Sequence, residues 1–304
     1  MEKSESGREA PRRPWRFHAS GGRLSGRRGV PAALLLNAGA AVASFGATVI
    51  LARTSGAVML GHYTLAISTG TMLAVLALLG LDRITMRTIA GDLRQGLTGE
   101  ARGALRTSWR LVVAMSLALL LLYLVALHWL PRFRGFDSDP LAMLLGGGAI
   151  VSVALMRLGL SALRGAGRQL AAQGLDTLPT YVFALCIGLA ALAGSVWTSA
   201  RAVALFVGLQ LAAAGIAWIL LGRQAVRWGR PASVPAARLV GAGIPMMLII
   251  LVHSFSDWML VSTLADQRTA ADAGAFRVAA QIISIPTLVI ATVVLSNFSA
   301  SNFR

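Results

Sequence analysis

Apolar residues in this chain come in long blocks, not in the short alternations of a soluble fold. The stretches Leu111 to Leu127 and Ala202 to Leu221 contain no charged residue, and about 20 such residues are what a helix needs to cross a hydrocarbon core. Comparable runs extend over Val30 to Ala52, His62 to Leu81, Trp109 to Leu130, Leu141 to Leu163, Asp176 to Val196, Ala202 to Gly222, Leu239 to Ala265 and Gly274 to Phe298. None shows the dyad alternation of a lipid-facing barrel strand. In lipid each backbone amide has to be satisfied within its own segment, which only a helix achieves here. The pattern predicts an all-α integral membrane protein with about eight transmembrane helices. Pro31, Pro140, Pro179 and Pro245 fall near the expected helix starts, where a missing amide hydrogen costs little. Pro286 lies inside the eighth run and predicts a kink.

Charge turns this pattern into a topology. Only 13% of the 304 residues are charged while 56% are hydrophobic, and so few charges cannot cover a water-facing surface. The net charge of +16 would suit nucleic acid, yet the basic residues lie almost wholly between the apolar blocks, so nucleic acid is not expected as a partner. Of the 28 Lys and Arg residues, only Arg53, Arg132, Arg134, Arg201, Arg268 and Arg277 fall on one side when the loops are assigned alternately. The remainder fall on the side shared by the N-terminus, which the positive-inside rule makes cytoplasmic. Residues 1–29, rich in Arg, Pro and Gly, read as a disordered cytoplasmic tail and not as a signal peptide. Nearly every basic residue is Arg, with Lys3 the exception. That usage fits GC-rich bacterial coding and a multi-pass protein of the inner (plasma) membrane. The single Cys186, inside an apolar run, excludes an intrachain disulfide and reads as a small core residue. His18, His62 and His128 are too scattered for a metal site, and neither metal nor cofactor is expected. Gly146, Gly147 and Gly148 lack the Lys and Ser or Thr of a phosphate loop and suit close helix packing.

Two strings carry a family resemblance. Leu51, Ala52, Arg53, Gly56, Gly61, Tyr63, Leu65 and Ala66 fill the places of a first outer loop reading "LAR.LG...yG.Y.la", and Leu79 to Ala90 follows as a glycine and a polar pair before a basic amphipathic segment. Ser256 to Ala265, then Gly274, Phe276 and Ala279, match a seventh-helix element "D..llg......vG.Y..A", with Phe276 in place of tyrosine. The chain thus resembles the polysaccharide (O-antigen and teichoic acid type) flippases of the multidrug/oligosaccharidyl-lipid/polysaccharide exporter superfamily. Setting Leu51 to Ser68 over Leu264 to Gln281 also makes the two elements resemble each other, with identities at Leu51, Ala52, Ala57, Gly61 and Ala66. The resemblance implies a transporter of two repeats: a first six-helix bundle at 30–222, a cytoplasmic linker at 223–238, and at 239–304 the first two helices of a second bundle. It implies a lipid-linked glycan as substrate, membrane lipids as surroundings, and other polysaccharide assembly proteins as candidate partners. Transporters of that family usually carry twelve or more spans, so the chain as given corresponds to somewhat more than half of one.

A flippase needs no catalytic residue. It needs polar and cationic groups at membrane depth, where an unpaired charge costs about 2.5–3.5 kcal/mol and persists only beside a cavity or partner. Asp257 in the seventh run, with His253 one turn before it, is the leading candidate. The pair reads either as a titratable coupling site or as an Asp paired with a basic residue of another helix. Arg157 in the fourth run either snorkels to the interface or faces the cavity and offers a bidentate fork to a pyrophosphate. Asn37 and Gln210 are cavity candidates whose default reading is hydrogen bonding between helices, as it is for Asn297. Asp82 and Arg83 end the second run as either a gate or an interfacial ion pair. The basic stretch Arg83 to Arg110 suits anionic lipid at about 1 kcal/mol per side chain. Two other functions compete with glycan-lipid export. A drug or cation antiporter of the same superfamily would line its N-terminal half with acidic side chains. A membrane-embedded glycan polymerase or ligase would carry a large outer loop, and the longest here is Pro131 to Pro140.

Overall fold

The computed structural model describes residues 26–129 and 139–283, with side chains from 35 onward. Nine helices are delimited among them: α1 Gly26–Ser55, α2 Ala57–Leu78, α3 Leu81–Arg94, α4 Thr98–Trp129, α5 Pro140–Gly146, α6 Gly148–Gly165, α7 Gln169–Leu192, α8 Ser199–Ala225 and α9 Ala236–Gln267. A further helical segment covers 270–283. Seven spans are long and apolar enough to cross a bilayer, with α5 and α6 together forming one of them. The protein is an all-α membrane protein, as the apolar blocks predicted. The eighth run is described only as far as residue 283. Residues 1–25, and with them most of the N-terminal tail, lie outside the described residues, as do Arg132, Arg134, Asp137, Pro286, Asn297 and Arg304.

Two spans are central and the rest surround them. The most apolar windows of α2 and of α5–α6 are 56% and 61% buried, whereas those of the other five are at most 22% buried. These two are built from small residues where they cross. An added Cβ on Gly146 would lie 2.8 Å from the Ala66 carbonyl oxygen, and one on Gly70 would lie 2.8 Å from the Ala149 methyl. Such approach lets backbones gain van der Waals contact that lipid cannot compete for. The surrounding helices leave Leu121, Leu122, Leu185, Leu189, Ile219 and Ile249 more than half exposed. An apolar belt of this extent is tolerated only where hydrocarbon is the solvent.

Helix ends differ from the apolar runs in an instructive way. The fifth run begins at Asp176, yet α7 starts at Gln169, which leaves Pro179 inside the helix; Pro245 is likewise inside α9. The expectation that both lie near helix starts is corrected. Hydropathy marks the hydrocarbon boundary, but the backbone goes on hydrogen bonding through the interface, and neighbouring helices make an interior proline tolerable. Pro140 does open a helix, with the Asp139 carboxylate accepting from the Leu141 and Ala142 amides at 3.0 and 3.3 Å. The Arg83 to Arg110 stretch is almost entirely helical: α3 is an amphipathic helix packed on α4 and α6. Its contact with α4 includes a fully buried hydrogen bond, 2.7 Å, from the Thr85 hydroxyl to Ser108. Between α2 and α3 the chain turns through two left-handed residues, Leu79 (φ 50°) and Gly80 (φ 69°). At Gly80 a side chain would strike the Gly243 carbonyl of α9, so the turn and the crossing both require glycine.

Candidate functional site

At the centre of the bundle lies a cavity of about 340 Å³ walled by α1, α2, α6, α7, α8, α9 and the 270–283 segment. Its lining is unusual for a membrane interior because hydroxyls dominate the polar part. Ser44 and Thr48 come from α1, Thr64, Ser68 and Thr71 from α2, and Thr180 and Ser254 from α7 and α9. The α2 set recurs at four- and three-residue spacing and so forms one face of the helix. Tyr63 and Phe183, with ring centroids 5.8 Å apart and planes 21° apart, supply a stacked aromatic pair beside them.

Three charges enter this space. Arg157 reaches in from α6, Arg277 from the 270–283 segment and Asp257 from α9. Neither arginine has an ion-pair partner among the described residues, whereas Asp257 has His253 at 3.8 Å, one turn away on the same helix. The two side chains of that pair are 69% and 83% exposed, so it sits at an open edge of the cavity and not within a sealed core. The cavity therefore carries an excess of fixed positive charge over negative. In a low-dielectric surround that excess acts on an anion more strongly than it would in water.

The positions of the sequence candidates divide cleanly. Arg157, Asp257 and Gln210 converge on the cavity. The Gln210 side-chain oxygen is buried there without a hydrogen-bond partner. His253 joins only through Asp257. Asn37 is elsewhere: its side-chain oxygen accepts from Gln173 at 2.7 Å, tying α1 to α7, which is the helix-to-helix bond of its default reading. Asp82 and Arg83 face each other at only 3.8 Å. Asp82 is buried, and one of its carboxylate oxygens has no partner. It lines a small hollow with Arg157, Met247 and Ile250, so Arg157 stands between that hollow and the cavity. Among the described residues no His, Cys, Asp or Glu cluster could hold a metal.

Sequence reasoning missed Arg277 and the hydroxyl face of α2. The apolar runs place Arg277 with the outer loop, close to the start of the eighth run, but the helix begins at 270 and carries it into the cavity. The internal resemblance held the signal. The alignment that pairs Gly61 with Gly274 also pairs Thr64 with Arg277 and Ser68 with Gln281; all four line the cavity. The contacts obey the same alignment. A Cβ on Gly61 would meet the Ala270 carbonyl, one on Gly274 would meet the Ala57 carbonyl at 2.5 Å, and Ala57 and Ala270 are themselves an aligned pair. Reciprocal contacts of this kind are what a local two-fold axis produces.

No family model, no curated protein and no solved structure matches the chain. The seven spans long and apolar enough to cross a bilayer define a multi-pass membrane protein, with a partly open polar cavity among its helices.

Proposed function

We propose that this protein is a membrane transporter of the flippase type, moving a lipid-linked oligosaccharide or polysaccharide precursor across the bacterial inner membrane by alternating access. The observation that carries the reading is the cavity itself: two arginines without ion-pair partners among the described residues, set among hydroxyls and a stacked aromatic pair, at the centre of a bundle whose outer surface is apolar. Arginine forks suit a phosphate or pyrophosphate. Hydroxyls and aromatic faces suit sugar rings, and lipid outside the bundle suits the tail. In this reading α9 and the 270–283 segment begin a second repeat, the local two-fold axis relates it to the first, and the arginine-rich helix ends face the cytoplasm. The His253–Asp257 pair at the cavity edge is then placed to couple transport to protons or cations. A cation or drug antiporter is the competing reading, and the positive balance of the cavity disfavours it.

The test is reconstitution of the protein into vesicles holding a fluorescent polyprenyl-pyrophosphate saccharide in the inner leaflet, with a membrane-impermeant quencher outside. Protein-dependent exposure of the fluorophore is expected, with a large loss in Arg157→Gln and Arg277→Gln variants that keep their helical content. Uptake of lipophilic cations with no movement of the glycan lipid would overturn the proposal.

A further inference from the structure

We propose a second site, separate from the central cavity: a lipid-facing groove between α4 and α8 that binds one anionic diacyl phospholipid from the leaflet at the arginine-rich end. The groove has a volume of about 440 Å³ and is lined by Arg102, Leu105, Arg106 and Trp109 from α4, by Trp218, Leu221, Gly222 and Ala225 from α8, and by Pro231. Both helices contribute four residues at the same spacing of three, four and seven, so each presents one continuous face to the gap. The floor is apolar and closed by Leu105, Leu221 and Ala225, all buried. Trp109 and Trp218 meet edge-to-face at 6.4 Å and bound one end. At the other end the Arg102 guanidinium donates to the carbonyls of Trp228 and Gly229 at 3.4 and 3.3 Å, and Arg106 is exposed with no ion-pair partner among the described residues.

The order of these features along α4 selects the occupant. Arg102 precedes Trp109 by seven residues, about 10 Å along the axis, and the uncharged run from Leu111 continues into the bilayer. Tryptophans favour the headgroup level. The arginines therefore stand on the water side of the tryptophans, within reach of a phosphate, and the apolar floor of Leu105, Leu221 and Ala225 lies between them and the Trp109–Trp218 pair. General attraction of basic helix ends to anionic lipid requires no such shape. The groove adds a walled apolar slot directly beneath two cations, and that combination fits a single lipid with a phosphate headgroup.

Gly222 supplies a clean perturbation, because a Cβ there would meet nothing within 4 Å. A phenylalanine at this position fills the groove and leaves the helix packing intact. The experiment is native mass spectrometry of the purified full-length protein with added phosphatidylglycerol or phosphatidylcholine. A one-to-one complex with phosphatidylglycerol is expected to survive activation energies that strip phosphatidylcholine. Gly222→Phe is expected to abolish it, and Arg106→Gln to weaken it about fivefold, the contribution of one basic side chain near an anionic headgroup. Arg110→Gln, at an exposed arginine on the same helix that does not line the groove, is expected to leave it unchanged. Equal retention of both lipids, equal loss in Arg110→Gln, or unchanged binding in Gly222→Phe would each overturn the proposal. So would a dimer that dissociates on Gly222→Phe, since a second copy would then be the occupant. The readout involves no transport, so its failure leaves the reading of the central cavity untouched.

Discussion

The crossing of α2 with α5 and α6 makes a prediction whose sign is fixed by geometry. Replacing Gly70 with alanine puts a methyl 2.8 Å from the Ala149 methyl, and closer still to the Gly146 carbonyl oxygen. Unstrained carbon contacts lie at about 3.5–4.0 Å, so one helix has to move by about an ångström. Neither neighbour is the flexible end of a long side chain; one is backbone and the other is a buried alanine. The response is therefore a displacement of the two central spans. Overpacking of this kind costs about 1–3 kcal/mol. Against that stands the intrinsic preference of a helix for alanine over glycine, about 0.8–1.0 kcal/mol. The net expectation is a loss of stability. Gly208 on α8 provides the contrast, because a Cβ there meets nothing within 4 Å, so Gly208→Ala should gain most of the propensity term. Thermal unfolding of the two variants in the same detergent, followed by the helical circular dichroism signal, should shift in opposite directions. If Gly70→Ala were as stable as Gly208→Ala, the close approach of the central spans would be refuted. The displacement also bears on the cavity, since Ser68 and Thr71 flank Gly70 on the wall α2 contributes.

Two further outcomes follow from polar contacts outside the cavity. Burial works against the charge of Asp139, but the Ser199 hydroxyl at 2.6 Å, the Ala142 and Leu141 amides and the nearby His62 outweigh it and hold its pKa below the ordinary carboxylate value. A depressed folded value means that the carboxylate contributes stability above its unfolded pKa of about 3.9 and loses it as pH falls through the lower folded value. Asp139→Asn keeps a capping oxygen, since Asn caps a helix about as well as Asp, and should flatten the acid limb of a stability–pH profile, whereas Asp139→Ala should also lower stability at neutral pH by about 1 kcal/mol for the lost cap; an unchanged acid limb in Asp139→Asn would contradict the assignment. The Thr85 to Ser108 hydrogen bond is buried on both sides, so Ser108→Ala should cost about 1–3 kcal/mol by stranding the threonine hydroxyl. Adding Thr85→Val should recover most of that loss in chemical denaturation, and strictly additive losses would show that the two hydroxyls do not interact.

The sequence alone determined that the protein is a helical bundle in a bilayer, because the period and length of apolar blocks are set by hydrocarbon thickness, a property of the solvent and not of the fold. It also singled out Arg157, Asp257 and Gln210, since a polar side chain inside an apolar block is conspicuous wherever the helix ends up. Tertiary structure alone decided which of these polar residues share a space. Asn37 and Gln210 look alike along the chain, yet one is consumed by Gln173 in a helix contact and the other opens on the cavity. Arg277 was hidden because hydropathy locates the hydrocarbon boundary while hydrogen bonding locates the helix end, and near residue 270 the two differ by several residues. The hydroxyls of α2 were hidden for another reason. Serine and threonine can satisfy themselves on their own helix, as Thr69 and Thr71 do by donating to the carbonyls of Leu65 and Ile67 at 2.8 Å. They therefore cost little within an apolar run and leave a weak mark on it, and only the packing of seven walls around them makes them a polar surface.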